Sequence, residues 1–184
     1  MYRGNTPLAA PAQRLFFALW PDAQTRDRLA AIAAGLPARC GRRVDREALH
    51  LTLSFLGNVG EDARDCLVQG AEAIRAPGFA LTLDSLGWFR RARVVWLAPQ
   101  KVPAELAQLV EGIDAVVRAC GLAPDNNRPY QPHLTLSRKA VRPVKCLDIE
   151  PICWNIRDFC LVHSITHDTG PEYRILQRWV LTQA

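Results

Sequence analysis

A chain of 184 residues, 49% hydrophobic and 22% charged, is long enough for one compact domain with a real core, too short for two large ones, and too apolar for disorder. No apolar run approaches the roughly 20 residues needed to cross a bilayer, and no secretory signal is expected, so the cytoplasm is the expected compartment. The excess of 23 basic over 18 acidic residues favours an anionic partner, most often nucleic acid, without deciding for one.

Residues 1–13 are Pro-rich and unpatterned, and are expected to be a flexible lead-in to a single domain over 14–184. The apolar run at 15–20 predicts a buried strand. Asp22 then stands where an N-cap belongs, ahead of Leu29, Ile32, Ala33 and Leu36 at helical spacing. Residues 50–55 alternate and predict a strand closed by Gly57-Asn58, and 61–75 predict a second helix. Strands are expected at 79–85 and 94–98. The strongest helix signal spans 103–120, with Pro103 in its first turn, an apolar stripe from Leu106 to Cys120, and Gly121 at C′. Three more strands follow at 133–137, 159–166 and 173–181, the last two joined by a turn around Asp168-Thr169-Gly170-Pro171. Interleaved helices with hairpin-like strand pairs predict an α+β fold with antiparallel sheets.

The six cysteines contain no Cys-x-x-Cys pair, and are expected to be reduced, mostly buried thiols. His163 and His167 are four apart, a metal-binding spacing on a helix, but their surroundings read as a strand, so no metal site is expected there.

One pentapeptide occurs twice, His50-Leu51-Thr52-Leu53-Ser54 and His133-Leu134-Thr135-Leu136-Ser137, 83 residues apart, which predicts two related halves. On a strand, alternation turns His, Thr and Ser to one face and the leucines to the other. Packing explains the leucines but not the second face. If the halves face each other, two imidazoles and two hydroxyls line one cleft. Two such imidazoles divide naturally into a neutral base and a charged acid near neutrality, and hydroxyls between them stabilise phosphate oxygens. That is a phosphodiester-hydrolysing set. Arg138, whose fork suits phosphate, and Tyr130, whose ring suits a base, are further candidates. Strict alternation points Arg138 to the leucine face unless the strand end twists. Arg90, Arg91 and Arg93 beside Trp88 and Phe89, and Arg39, Arg42, Arg43 and Arg46 before the first motif, are basic clusters of a kind that can track RNA, although a solvated surface such as a hairpin tip is the commoner explanation of such runs.

The extended motifs, His50 to Gly57 (HLTLSFLG) and Pro132 to Arg138 (PHLTLSR), resemble the two-histidine phosphoesterase superfamily, specifically the RNA 2′,3′-cyclic phosphodiesterases, also called 2′-5′ RNA ligases. Weaker matches are Arg14-Leu15-Phe16-Phe17-Ala18, Arg93-Val94-Val95-Trp96-Leu97 and Tyr173-Arg174. The resemblance implies a bilobal α+β fold with two pseudo-symmetric lobes and a central cleft. It also implies hydrolysis of RNA 2′,3′-cyclic phosphates to 2′-phosphomonoesters without a cofactor; the acid–base set itself requires no metal, and a monomer is expected. By the family pattern His50 is the proton donor, His133 the acceptor, and Thr52 and Thr135 hold the phosphate. Reversible 2′-5′ RNA ligation, another small cyclic phosphate, or a non-catalytic nucleotide-binding module are the alternatives. Ser54 and Ser137 stand where Ala is frequent, and Trp88 where a smaller residue is expected.

Overall fold

Asp22 starts the first helix three residues after the first strand ends. β1 (Gln13–Leu19) carries the buried run Leu15–Leu19, and α1 (Ala23–Gly35) begins where Asp22 Oδ1 accepts the Thr25 backbone N–H at 2.8 Å. The structure, a computed structural model, describes residues 11–124, 129–141, 149–168 and 170–183. The remaining elements in chain order are β2 (Arg42–Arg43), β3 (Leu51–Val59), α2 (Glu61–Ala71), β4 (Phe79–Leu83), β5 (Ser85–Phe89), β6 (Val94–Ala98), α3 (Ala104–Ala119), β7 (Leu134–Arg138), β8 (Ile152–Ile156), β9 (Asp158–His167) and β10 (Gly170–Val180).

The strands form one antiparallel sheet in the order β10-β9-β1-β3-β7-β6-β5, with β2 on β7, and a separate β4-β8 pair. The two repeated motifs are its central strands, β3 and β7, and these touch at a single pair, Leu51 with Leu134. Neighbours are arranged alike on both sides: β1 flanks β3 and β6 flanks β7. The helices cross over. α1, which follows β1, packs on β7, while α3, which follows β6, packs on β3. Leu51, Leu53, Leu134 and Leu136 enter a core with Leu29, Leu106, Leu109 and Ile113 from these helices. This two-lobed α+β arrangement is the fold the sequence predicts.

The differences have local causes. Gln13 belongs to β1, paired with Val59, so the ordered domain begins before residue 14; residues 1–10 lie outside the described residues. β3 does not close at Gly57-Asn58 but runs on to Val59, since Gly57 takes φ +71° beside a register shift and rejoins β1 opposite Leu15. The helix expected to reach 75 ends at Ala71, and β2, β5 and β8 were not expected at all. Cys66 and Cys120 are joined in a disulfide with 5.7 Å between Cα atoms, linking α2 to the end of α3, which corrects the expectation of reduced thiols. Cys40 and Cys160 are buried and free, Cys153 is exposed, and Cys146 lies outside the described residues. Among the described residues no helix is long and apolar enough to cross a membrane.

Candidate active site

The single Leu51–Leu134 pair determines what meets across the middle of the sheet. One residue to either side, antiparallel register sets His50 beside Thr135, and Thr52 beside His133. Two cavities bear this out: one is lined by His50 and Thr135, the other by Thr52 and His133. All four residues are partly buried at the cleft wall.

Each motif strand carries the same bulge at the same position. Opposite β1, register shifts between Thr52 and Ser54, leaving Leu53 unmatched; opposite β6, it shifts between Thr135 and Ser137, leaving Leu136 unmatched. An extra residue reverses the alternation beyond it. Ser137 therefore leaves the His/Thr face, which corrects the sequence reading, whereas Ser54, though buried, still contributes to the lining of the cavity of Thr52 and His133. Ser137 is fully buried, its hydroxyl donating to the Cys40 carbonyl, and Ser54 is buried with its hydroxyl 3.5 Å from Asp114 Oδ1. The residue just past each serine reaches the cleft: Phe55 lines the second cavity and Arg138 the first. Arg138 thus joins His50 and Thr135 because of the bulge. Gly41 holds that edge: at φ +83° its missing Cβ would lie 2.2 Å from the Arg138 carbonyl oxygen.

Both imidazoles are tied in the same way. His50 Nδ1 lies 2.7 Å from the Ala48 carbonyl and His133 Nδ1 2.8 Å from the Gln131 carbonyl, each two residues back. A carbonyl only accepts, so Nδ1 carries hydrogen in both rings and Nε2 is the nitrogen left for proton exchange. Their surroundings differ sharply. His50 stacks parallel on Trp20 at 5.2 Å and contacts Phe16 at 4.9 Å and Tyr173 edge-on at 5.0 Å. Burial in this box pushes its pKa down to about 4; the Ala48 hydrogen bond opposes the shift, while the Arg138 and His133 charges add to it. His133 has one ring contact among the described residues, edge-on with Phe89 at 5.0 Å.

The basic clusters divide between scaffold and cleft. Arg43 donates to the carbonyls of Ala33, Ala34 and Leu36, closing the end of α1, and Arg46 pairs with Asp27 and Glu47. Arg93 donates to the Ala140 and Lys139 carbonyls. Arg42 and His167 line the His50 cavity, and Arg90 and Arg91 the His133 cavity. His167 pairs with Glu172 at 2.9 Å, and His163 sits on β9 away from it, so the two do not converge. Tyr130 donates its hydroxyl to the Thr52 carbonyl at 3.0 Å, and desolvation pushes its phenol up. Trp20 and Asp114 were missed. Trp20 was legible, since Phe16, Ala18 and Trp20 alternate onto one face; Asp114, one of several polar residues along α3, carried no signal.

A histidine and a threonine from each half of a pseudo-symmetric antiparallel sheet, brought together at its centre, define a two-histidine phosphoesterase. Residues 19–168 match the 2′-5′ RNA ligase superfamily, and the chain belongs to that family. It is 39% identical over 176 residues to the RNA 2′,3′-cyclic phosphodiesterase of Escherichia coli K12, covering 93% of this chain and 98% of the relative. Its identity to the enzyme of the same name from Thermus thermophilus is 32% over 180 residues, 91% of this chain and 90% of the relative. Among solved structures, E. coli LigT in apo form and E. coli LigT complexed with 3′-AMP each superpose with a TM-score of 0.83 at 37% identity, over 95% of this chain and all of the other. The MHV ns2 PDE domain, at 16% identity and a TM-score of 0.56, shares the fold.

Proposed function

We propose that this protein is a cytoplasmic, monomeric, metal-independent enzyme that hydrolyses RNA 2′,3′-cyclic phosphates to 2′-phosphomonoesters. The observation that carries the reading is the Leu51–Leu134 pair, which seats each motif histidine beside the other motif's threonine. The names of the E. coli and Thermus relatives supply the substrate class. The Cys66–Cys120 bond pulls against the compartment, because disulfides are rare in reducing cells.

In this mechanism the phosphate lies between the histidines. Thr52 and Thr135 donate hydroxyl hydrogens to non-bridging oxygens, and Arg138 adds its charge beside His50. His133 Nε2 takes a proton from water as the oxygen attacks phosphorus in line. His50 Nε2 gives a proton to O3′ as the P–O3′ bond breaks, leaving the phosphate on O2′. Tyr130 supports the Thr52 strand and offers its ring to the substrate. A pKa of about 4 holds His50 neutral at pH 7. A bound phosphodiester brings a negative charge that offsets Arg138, raising the pKa so that His50 is charged when it is needed. An RNA ending in a 2′,3′-cyclic phosphate, incubated in EDTA, is expected to yield the 2′-monoester; release of the 3′-monoester, or no turnover, contradicts the proposal.

A further inference from the structure

Phe55 is an aromatic side chain that the core does not use. Its ring is 36% exposed and, with Trp88, Phe89 and Tyr130, walls the cavity beside His133, about 700 Å³ in volume. Two irregularities of β3 place it there. Leu53 is unmatched before it and Leu56 after it, and Gly57 follows at φ +71°, its missing Cβ 4.0 Å from the Phe55 ring. The second irregularity sets Arg14 of β1 opposite Asn58, and the Arg14 guanidinium lies over the Phe55 ring, 4.8 Å from its centre. Among the described residues the Arg14 side chain makes no ion pair or hydrogen bond that competes with this contact. A cation over one face of a phenyl ring is attracted by the ring quadrupole and leaves the other face for a second partner.

The covalent geometry of the substrate says what that partner is. In a nucleoside 2′,3′-cyclic phosphate the base leaves from C1′, next to C2′, and the 5′ arm leaves from C4′, next to C3′. With O3′ turned toward His50, the 5′ arm departs on the His50 side and the base on the His133 side, among the four rings. Aromatic faces suit a base. We infer that Arg14 is a positioning residue for the terminal nucleobase: it acts through Phe55, holding that ring in place for the base to stack upon. The inference rests on the hydrolytic reading above. An exposed ring that is ordered only when the ligand arrives subtracts from affinity, and Arg14 orders it beforehand.

The test compares 2′-AMP with 1-deoxyribofuranose 2-phosphate, which lacks only the base. Calorimetry measures both on the wild type, R14M, R14K, F55L and the R14M/F55L pair. The wild type is expected to bind 2′-AMP the more tightly. R14M is expected to weaken 2′-AMP about two- to fivefold, the worth of a cation–π contact at an exposed site, and to bind the base-free ligand as the wild type does. R14K keeps a cation and should hold 2′-AMP near the wild-type affinity. In the F55L background R14M should have no further effect, since the ring through which Arg14 acts is gone. Equal binding of the two ligands by the wild type, equal weakening of both by R14M, an R14K as weak as R14M, or an R14M effect that survives in F55L overturns the inference. The expected binding pattern with no turnover of adenosine 2′,3′-cyclic phosphate by the wild type sinks the hydrolytic reading and leaves the role of Arg14 standing.

Discussion

The two halves of the site share a sequence, a bulge and a carbonyl anchor, yet one histidine is boxed and the other open. His50 lies among Phe16, Trp20 and Tyr173 with Arg138 nearby, whereas His133 meets only the edge of Phe89 among the described rings. Past the bulge, the equivalent positions carry Arg138 on one strand and Phe55 on the other. Duplication supplied the matched donors and acceptors. Divergence around them gave each half its own task, because identical imidazoles divide into acid and base only when their environments differ.

The largest effect is expected from removing either ring. H50A and H133A should each lose on the order of 10²–10⁴ in kcat, the usual scale of acid–base help. The comparison sharpens with leaving group and pH. H50A should be rescued by a phosphodiester with a good leaving group such as p-nitrophenol, and H133A by rising pH as hydroxide replaces base-assisted water. Rescue in the opposite pattern would swap the roles.

Next in size is R138Q, which is expected to raise KM by about 10- to 100-fold, the value of a charge-assisted contact. Removing that positive charge also raises the pKa of His50, which a pH profile of kcat/KM should register as an alkaline limb moved upward. Opening the disulfide with the C66S/C120S pair should cost about 2–4 kcal/mol of folding stability, read by urea denaturation.

The smallest effect concerns Trp20. Trp20→Leu admits water to His50 and should raise its pKa, moving the same limb upward without touching the phosphate contacts. Folding stability carries the matching signature. Because His50 is held below its ordinary value near 6.5, its contribution is full above pH 6.5 and is lost as pH falls toward about 4. The acid-side slope should be shallower in H50A.

The repeated pentapeptide made both central strands and all four motif residues readable, because alternation and duplication are patterns of spacing alone. The turn of Ser137 away from the cleft and of Arg138 into it was not fixed by spacing, because a bulge depends on the partner strand: Leu53 and Leu136 look like any other strand residue until β1 and β6 lie beside them. The Cys66–Cys120 bond was invisible for a similar reason, as it needs α2 and α3 to be packed together. The short β2 and β8 owe their pairing to β7 and β4 rather than to any run of their own.

The most direct measurement is an NMR titration of the His50 and His133 ring nitrogens, free and saturated with 2′-AMP. One phosphate held between the two rings should perturb both Nε2 signals and raise the His50 pKa from about 4. A response confined to one ring, or a His50 that titrates near 6.5 whether or not the nucleotide is bound, would contradict the account.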